Sequence, residues 1–121
     1  MTKPPPTAGT ALDGVIVATA LPYVEDSAAP AGLRVDLERY AEHCRWLIAS
    51  GCDGVGANGS LGEYSSLTDE ERRAVAETAV WAVGDSGVTV VGVHAPGSHQ
   101  ARMWTEHARD IGADAVLPEL V

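Results

Sequence analysis

The chain has 121 residues, of which 45% are hydrophobic and 21% are charged, a composition typical of one soluble globular domain. A net charge of −9 argues against nucleic acid and against an anionic membrane surface as partners. No apolar run approaches the ~20 residues of a membrane span, and no secretory signal pattern is evident, so we expect a cytoplasmic protein. The two cysteines, Cys44 and Cys52, fit a reducing compartment and are predicted to be small buried residues.

The first elements are a leader, a strand and a loop. Residues 1–13 are predicted to be a flexible leader, because three consecutive prolines disfavour both helix and sheet. The predicted domain then occupies residues 14–121. It begins with the continuous apolar run of residues 14–19, which indicates a strand covered on both faces. A loop containing alanine, proline and glycine is predicted to lead on to Asp36.

The first helix has a clear start and a clear stop. Asp36 is a suitable N-cap, and Val35 and Tyr40 occupy the two positions of a hydrophobic staple around it. Apolar residues then recur at helical spacing until Gly51, which is a typical residue for a helix end. A short buried strand is predicted at residues 54–57.

The second helix begins with a capping box. Thr68 and Glu71 stand at the two positions of that motif, and two further acids favour the first turn of a helix. The helix is predicted to end at Gly84. Residues 88–93 are almost wholly apolar and rich in β-branched side chains, which favours a strand.

The last helix and strand complete an alternating pattern. Ser98 is predicted to cap the third helix, which ends near residue 112, and a final strand is predicted at residues 113–117. The order β-α-β-α-β-α-β predicts an α/β fold with parallel strands. It fits either a small open sheet or the N-terminal half of a (β/α)₈ barrel, whose usual length is about 250 residues.

A glycine-punctuated loop follows the second of these strands. Gly59 and Gly62 flank Ser60 and Leu61, so the backbone can turn tightly and direct its N–H groups outward. A strand-to-helix turn of this kind can bind a small anion, because amide hydrogens converge there. Glycine is also common in loops that only turn, so the spacing leaves an anion site and a structural turn as alternatives.

Several stretches together resemble the dihydrodipicolinate synthase / N-acetylneuraminate lyase family. The most specific is Asn58-Gly-Ser-Leu-Gly-Glu, followed by Leu67-Thr-Asp-Glu-Glu-Arg, which is similar to that family's Gly-x-x-Gly-Glu loop and the helix after it. The other similar stretches are the strands at residues 14–19, 90–98 and 112–116, so the resemblance extends over residues 13–117.

The resemblance implies a fold, a chemistry and a site. The family consists of class I aldolases and lyases on a (β/α)₈ barrel, commonly tetrameric, in which a lysine forms a Schiff base with pyruvate or another 2-oxo acid. It implies no cofactor and no metal. By this resemblance Gly59, Ser60, Leu61 and Gly62 bind the substrate carboxylate, largely through main-chain N–H groups, and Ser60 supplies a hydroxyl for a proton relay.

Two departures of the sequence from the family affect its expected chemistry. Leu61 stands where the family often has a threonine, which favours a different substrate from that of dihydrodipicolinate synthase. The only lysine is Lys3, in the predicted leader, and arginine cannot replace it because its pKa stays above ~12. We therefore expect a family member that is truncated before its nucleophile and inactive alone. The alternative is a non-catalytic half-barrel that oligomerises or pairs with another chain.

Other candidate residues have simpler interpretations. His94 and His99 straddle a turn, but no further ligand completes a metal site. Glu63 is either a general base or, as we favour, a structural residue of the loop. Asp53 and Asp114 stand where strands begin and are expected to stabilise the fold. Each helix carries one tryptophan that packing on the sheet or subunit contacts would bury, namely Trp46, Trp81 and Trp104.

Overall fold

A computed structural model describes residues 12–118, so the predicted leader lies almost entirely outside the described residues. Within that range the chain forms six strands and three α-helices. They are β1 (Ile16–Ala18), β2 (Tyr23–Glu25), β3 (Leu33–Val35), α1 (Leu37–Ala49), β4 (Gly54–Ala57), α2 (Asp69–Val83), β5 (Val88–Gly92), α3 (Ser98–Ile111) and β6 (Ala115–Leu117).

Four of the strands form one parallel sheet, as predicted. Its order is β1-β4-β5-β6, so each strand pairs with the next one along the crossover connections. The expectation that the strands are covered on both faces holds for the inner strand β4, which is largely buried. It is wrong for β1, whose residues are half-buried or exposed, and β6 is also partly exposed. These two strands have one neighbour each among the described strands.

The segment predicted as a loop before the first helix contains an antiparallel hairpin. Tyr23 of β2 pairs with Val35 of β3, and Asp26 stabilises the turn by accepting hydrogen bonds from Ala28 N (3.0 Å) and Arg34 Nε (3.2 Å). The prediction failed because both strands have only three residues. A run this short cannot show a clear period of two.

The N-terminal caps of two of the three helices agree with the predictions. Asp36 caps α1 by accepting from Arg39 N at 3.0 Å, and Thr68 and Glu71 form both bonds of the capping box on α2. The prediction for α3 is wrong, because its N-cap is Gly97 and no side chain caps it. Ser98 is instead the first residue of the helix.

The main core lies between the sheet and helices α1 and α2. Tyr40, Val55 and Val75 are fully buried there, and burial raises the pKa of the neighbouring Cys44 thiol to about 11. Cys44 is thus buried as predicted, whereas Cys52 is half-buried.

The tryptophans behave differently from one another. Trp104 of α3 is buried, as predicted. Trp46 and Trp81 are 62% and 70% exposed, because they lie on the outward faces of α1 and α2 rather than against the sheet. No helix described between residues 12 and 118 has the length and apolar character needed to cross a membrane.

Two carboxylates fasten the strand starts at the amino edge of the sheet. Asp53 accepts from Val15 N at 2.8 Å, just before β1, and Asp114 accepts from Thr89 N in β5 at 2.8 Å. Each carboxylate therefore joins the start of its own strand to the start of the neighbouring strand, which agrees with the stabilising role expected for both residues.

Candidate functional site

The glycine loop lies at the carboxyl edge of the sheet, directly after β4. It is closed by two turn hydrogen bonds, from Gly62 N to Gly59 O (3.1 Å) and from Glu63 N to Ser60 O (3.0 Å). Gly62 is buried against β1, since a Cβ there would lie 3.1 Å from the carbonyl oxygen of Thr19. The absence of a side chain at Gly62 allows this close approach.

The middle of the loop faces solvent and retains hydrogen-bond donors. Leu61 has a side chain that is 60% exposed, and Ser60 is also exposed. Among the described residues, the N–H groups of Gly59 and Leu61 have no acceptor. Donors of this kind at a strand-to-helix turn are suited to an anion such as a carboxylate.

Asn58 joins β4 to this loop; the sequence placed it at the start of the motif but assigned it no role. It has a left-handed backbone (φ +59°) and is only 3% exposed. Its Nδ2 donates to the main-chain oxygen of Arg72 at 2.9 Å. The signal that could have found it is its residue type and place, because asparagine is one of the few non-glycine residues that tolerate this conformation.

Arg72 was also missed, because the first turns of a capped helix are usually solvated. Its side chain is 7% exposed, and burial lowers its pKa. Nη2 donates to Gly92 O (3.2 Å) and His94 O (2.9 Å), and the guanidinium lies 4.3 Å from the ring centre of Trp104. Arg72 therefore connects α2 to the carboxyl end of β5 and to α3.

A cleft of about 380 Å³ opens beside Arg72. Tyr64 lines it, and His94 contacts that ring edge-on with the centroids 5.6 Å apart. None of the residues from Gly59 to Gly62 lines this cleft, so it is distinct from the glycine loop.

Two tyrosines lie near the carboxyl edge. Burial raises the pKa of Tyr23, and the charge of Glu63 and a hydrogen bond to it add to the rise. Tyr40 is fully buried and its hydroxyl lies 2.6 Å from Thr19 Oγ1, which also donates to Gly56 O at 2.8 Å. Glu63 itself has a left-handed backbone (φ +56°), in keeping with a structural role in the loop.

The two histidines considered for a metal site do not come together with further ligands. His94 is half-buried and His99 is exposed on α3. Within residues 12–118 no group of three histidine, cysteine, aspartate or glutamate side chains is placed to hold a metal ion.

Comparison with known proteins identifies relatives over most of the chain. Residues 11–118 match the model of the Dihydrodipicolinate synthetase family. A 4-hydroxy-tetrahydrodipicolinate synthase of Methanothermobacter thermautotrophicus is 36% identical over 107 residues, which are 88% of this chain and 35% of the relative. A DapA-like lyase of Halobacterium salinarum, itself uncharacterised, is 36% identical over 83 residues, 69% of this chain and 27% of the relative.

Solved structures give the same result. The dihydrodipicolinate synthase of Aquifex aeolicus superposes with a TM-score of 0.78 at 31% identity, over 87% of this chain and 33% of that one. A chloride-inhibited dihydrodipicolinate synthase of Acinetobacter baumannii complexed with pyruvate superposes with a TM-score of 0.78 at 30% identity, over 87% and 34% of the two chains. The chain thus spans about a third of the length of the relatives it matches.

Proposed function

The chain belongs to the dihydrodipicolinate synthetase family, and we propose that it carries the carboxylate-binding part of a Schiff-base aldolase or lyase acting on a pyruvate-like 2-oxo acid. Its four parallel strands and three helices correspond to the N-terminal third of the TIM-barrel relatives. That correspondence favours the half-barrel over the open sheet as the interpretation of its α/β order.

The observation that carries the proposal is the pair of main-chain donors in the loop. The N–H groups of Gly59 and Leu61 have no acceptor among the described residues, and the loop lies at the carboxyl edge of a parallel sheet. Active sites of (β/α)₈ enzymes are found at that edge. The pyruvate complex of the Acinetobacter baumannii relative supports a keto acid as the anion.

Schiff-base chemistry needs two parts, a loop that binds the carboxylate and an amine that attacks the carbonyl. Once the carboxylate is held, the carbonyl carbon must be attacked by a deprotonated lysine. The 121 residues contain only Lys3, which lies outside the described residues. We therefore propose that they bind the keto acid but do not form the Schiff base by themselves, and that the Ser60 hydroxyl relays a proton once the amine is supplied.

Pyruvate titration of the ¹⁵N-labelled chain tests the binding site. The amide signals of Gly59 and Leu61 should shift with pyruvate and remain in place with sodium chloride at the same ionic strength. Leu61→Pro removes one of the two donors and should abolish the response at Gly59. Equal shifts with both salts would contradict the proposal.

Complementation tests the chemistry. Pyruvate with borohydride should leave the mass of the chain unchanged. Mixing it with the remaining two thirds of the Methanothermobacter thermautotrophicus relative should give a reducible adduct on that second polypeptide. Without borohydride, the same mixture should cleave an aldol substrate and release keto acid. Ser60→Ala should lower turnover in the mixture without weakening pyruvate binding, whereas Ser65→Ala, on an exposed serine outside the loop, should leave turnover unchanged. A stable adduct on Lys3 coupled to turnover would overturn the assignment.

A second candidate function is partner binding through the sheet edges. Strands β1 and β6 each have one neighbour among the described strands, and Val116 and Leu117 of β6 are exposed. Unpaired edges of this kind can bind a second copy or another chain. Sedimentation of the complementation mixture distinguishes the split enzyme from a binding protein. A complex that forms without keto-acid release favours partner binding alone.

A further inference from the structure

We propose that Asn58 is a positioning residue, whose anchored left-handed backbone sets the directions of the Gly59 and Leu61 N–H groups. The inference rests on the proposed function for its purpose, since those two donors are the ones assigned to the keto-acid carboxylate. Asn58 itself does not touch the substrate in this proposal. It acts through the loop that begins with the residue after it.

The backbone of Asn58 is held in an unusual conformation. Its φ of +59° lies in the left-handed region, where side chains other than glycine are disfavoured. The chain leaves β4 at this residue, so its dihedral angles decide where the next three peptide planes point. A change to an ordinary extended or helical conformation would turn the loop away from its present place.

Two contacts hold Asn58 in that conformation, and hydrogen bonds from Arg72 connect the elements that make them. Its Nδ2 donates to the main-chain oxygen of Arg72 in α2, at 2.9 Å. Its own carbonyl packs against Gly92 of β5, where any Cβ would overlap it. The Arg72 guanidinium in turn donates to the carbonyl oxygens of Gly92 and His94, so that α2, β5 and the start of the loop form one connected unit.

Within residues 12–118 the Asn58 side chain hydrogen-bonds through its Nδ2 group and not through its Oδ1 oxygen. It is 3% exposed, and Oδ1 is buried without a hydrogen-bond partner among the described residues. Burying an amide oxygen without a hydrogen-bond partner costs free energy. An apolar side chain at this position would avoid that cost, so packing does not explain the asparagine. The bond to the Arg72 carbonyl compensates for part of that cost, which indicates that anchoring the loop is its role.

The test compares two substitutions of Asn58 with a matched control. Asn58→Gly retains access to the left-handed backbone but loses the anchor, and Asn58→Ala loses both. Asp114→Ala removes one hydrogen bond to a main-chain N–H at the opposite edge of the sheet and serves as the control for lost stability. All three are compared with the unchanged chain by urea denaturation.

Two readouts separate positioning from stability. Residual dipolar couplings report the N–H directions of Gly59 and Leu61 without any ligand, and they should change in both Asn58 variants but not in Asp114→Ala. Pyruvate, titrated against the same amides, should bind about tenfold more weakly to both Asn58 variants and within about twofold of normal to the control.

The outcomes are distinct. Unchanged couplings at Gly59 and Leu61 in Asn58→Gly would overturn the inference whether or not pyruvate binds. Changed couplings with no pyruvate response in the unchanged chain would leave Asn58 as the residue that sets the loop geometry and would overturn the proposed function instead. Equal losses of pyruvate affinity in Asp114→Ala and Asn58→Gly would reduce Asn58 to a stabilising residue and also overturn the inference.

Discussion

Side-chain acceptors stabilise the amino edge of the sheet, whereas side-chain donors stabilise its carboxyl edge. Asp53 and Asp114 each accept from a main-chain N–H where a strand begins. At the other edge Arg72, Asn58 and Thr19 donate to main-chain carbonyls where strands end or a helix begins.

The difference follows from strand polarity. A parallel sheet presents unpaired N–H groups where its strands start and unpaired C=O groups where they end, so carboxylates suit one edge and guanidinium, amide or hydroxyl groups suit the other. The N–H groups of Gly59 and Leu61 are the exception, because they are donors left open at an edge of carbonyls. This exception makes the carboxyl edge the place for an anion.

Substituting one glycine at each edge should give the largest losses of stability and should distinguish the two edges by their effect on pyruvate binding. A Cβ at Gly92 would overlap the carbonyl of Asn58, and a Cβ at Gly54 would overlap the carbonyl of Val88. Gly92→Ala and Gly54→Ala should each lower the free energy of unfolding by about 3 kcal/mol, measured by urea denaturation. Only Gly92→Ala should also remove the pyruvate-induced shifts at the loop amides, and similar losses from both would contradict the division between the edges.

Arg72 should contribute almost as much to the carboxyl edge. Arg72→Ala leaves the carbonyls of Gly92 and His94 without their donor and removes the packing on Trp104, so we expect a loss of about 3 kcal/mol in unfolding free energy. Arg73→Ala is the control, because Arg73 only lies 5.4 Å from the same ring. It should cost less than about 1 kcal/mol, and comparable losses from both would show that charge near Trp104, rather than the two hydrogen bonds, is what matters.

The hydroxyl of Tyr40 should give the carboxyl edge an alkaline pH dependence. Burial raises the pKa of this phenol, so the folded chain keeps it protonated while the unfolded chain ionises near pH 10. Its contribution to stability is therefore present below pH 10 and is lost as the pH rises further. Tyr40→Phe should cost about 1–2 kcal/mol at pH 7 by loss of the bond to Thr19, and its disadvantage should shrink above pH 10.

Tyr23→Phe is the control for that pH series. Tyr23 is only half-buried, so its substitution should change the alkaline dependence much less. The Cys44 thiol, whose pKa burial raises to about 11, adds a loss of stability between pH 9 and 11 that should remain in Tyr23→Phe. In Tyr40→Phe this loss should extend to higher pH, because the hydrogen bond from Tyr40 lowers the Cys44 pKa. An alkaline profile of Tyr40→Phe that matches the unchanged chain would exclude Tyr40 as its source.

The elements that the sequence predicted are those with local causes. Asp36, Thr68 and Glu71 cap helices through residues three positions away, so their roles follow from the order of residues alone. The strands and the parallel order follow from apolar runs between those helices. The place of the glycine loop, between β4 and α2, was predictable for the same reason.

The features that were missed depend on distant contacts. Asn58 bonds to a residue fourteen positions away and Arg72 to carbonyls twenty and twenty-two positions away, so neither role shows in any local pattern. Packing on the sheet or subunit contacts were expected to bury Trp46 and Trp81; within this chain both lie on the outward faces of their helices. The roles of Gly59, Ser60, Leu61 and Gly62 stay predictions until a ligand is measured.

The two fastening aspartates should give the smallest effects and differ from each other. Thr89 is fully buried, so Asp114→Ala leaves a donor without solvent and should cost about 1–2 kcal/mol of unfolding free energy. The Asp53 bond to Val15 is exposed, so water can replace the carboxylate and Asp53→Ala should cost less than about 1 kcal/mol. Neither variant should shift the amide signals of Gly59 and Leu61. A shift in either one would show that the two edges are coupled and would contradict the independence of the carboxyl edge.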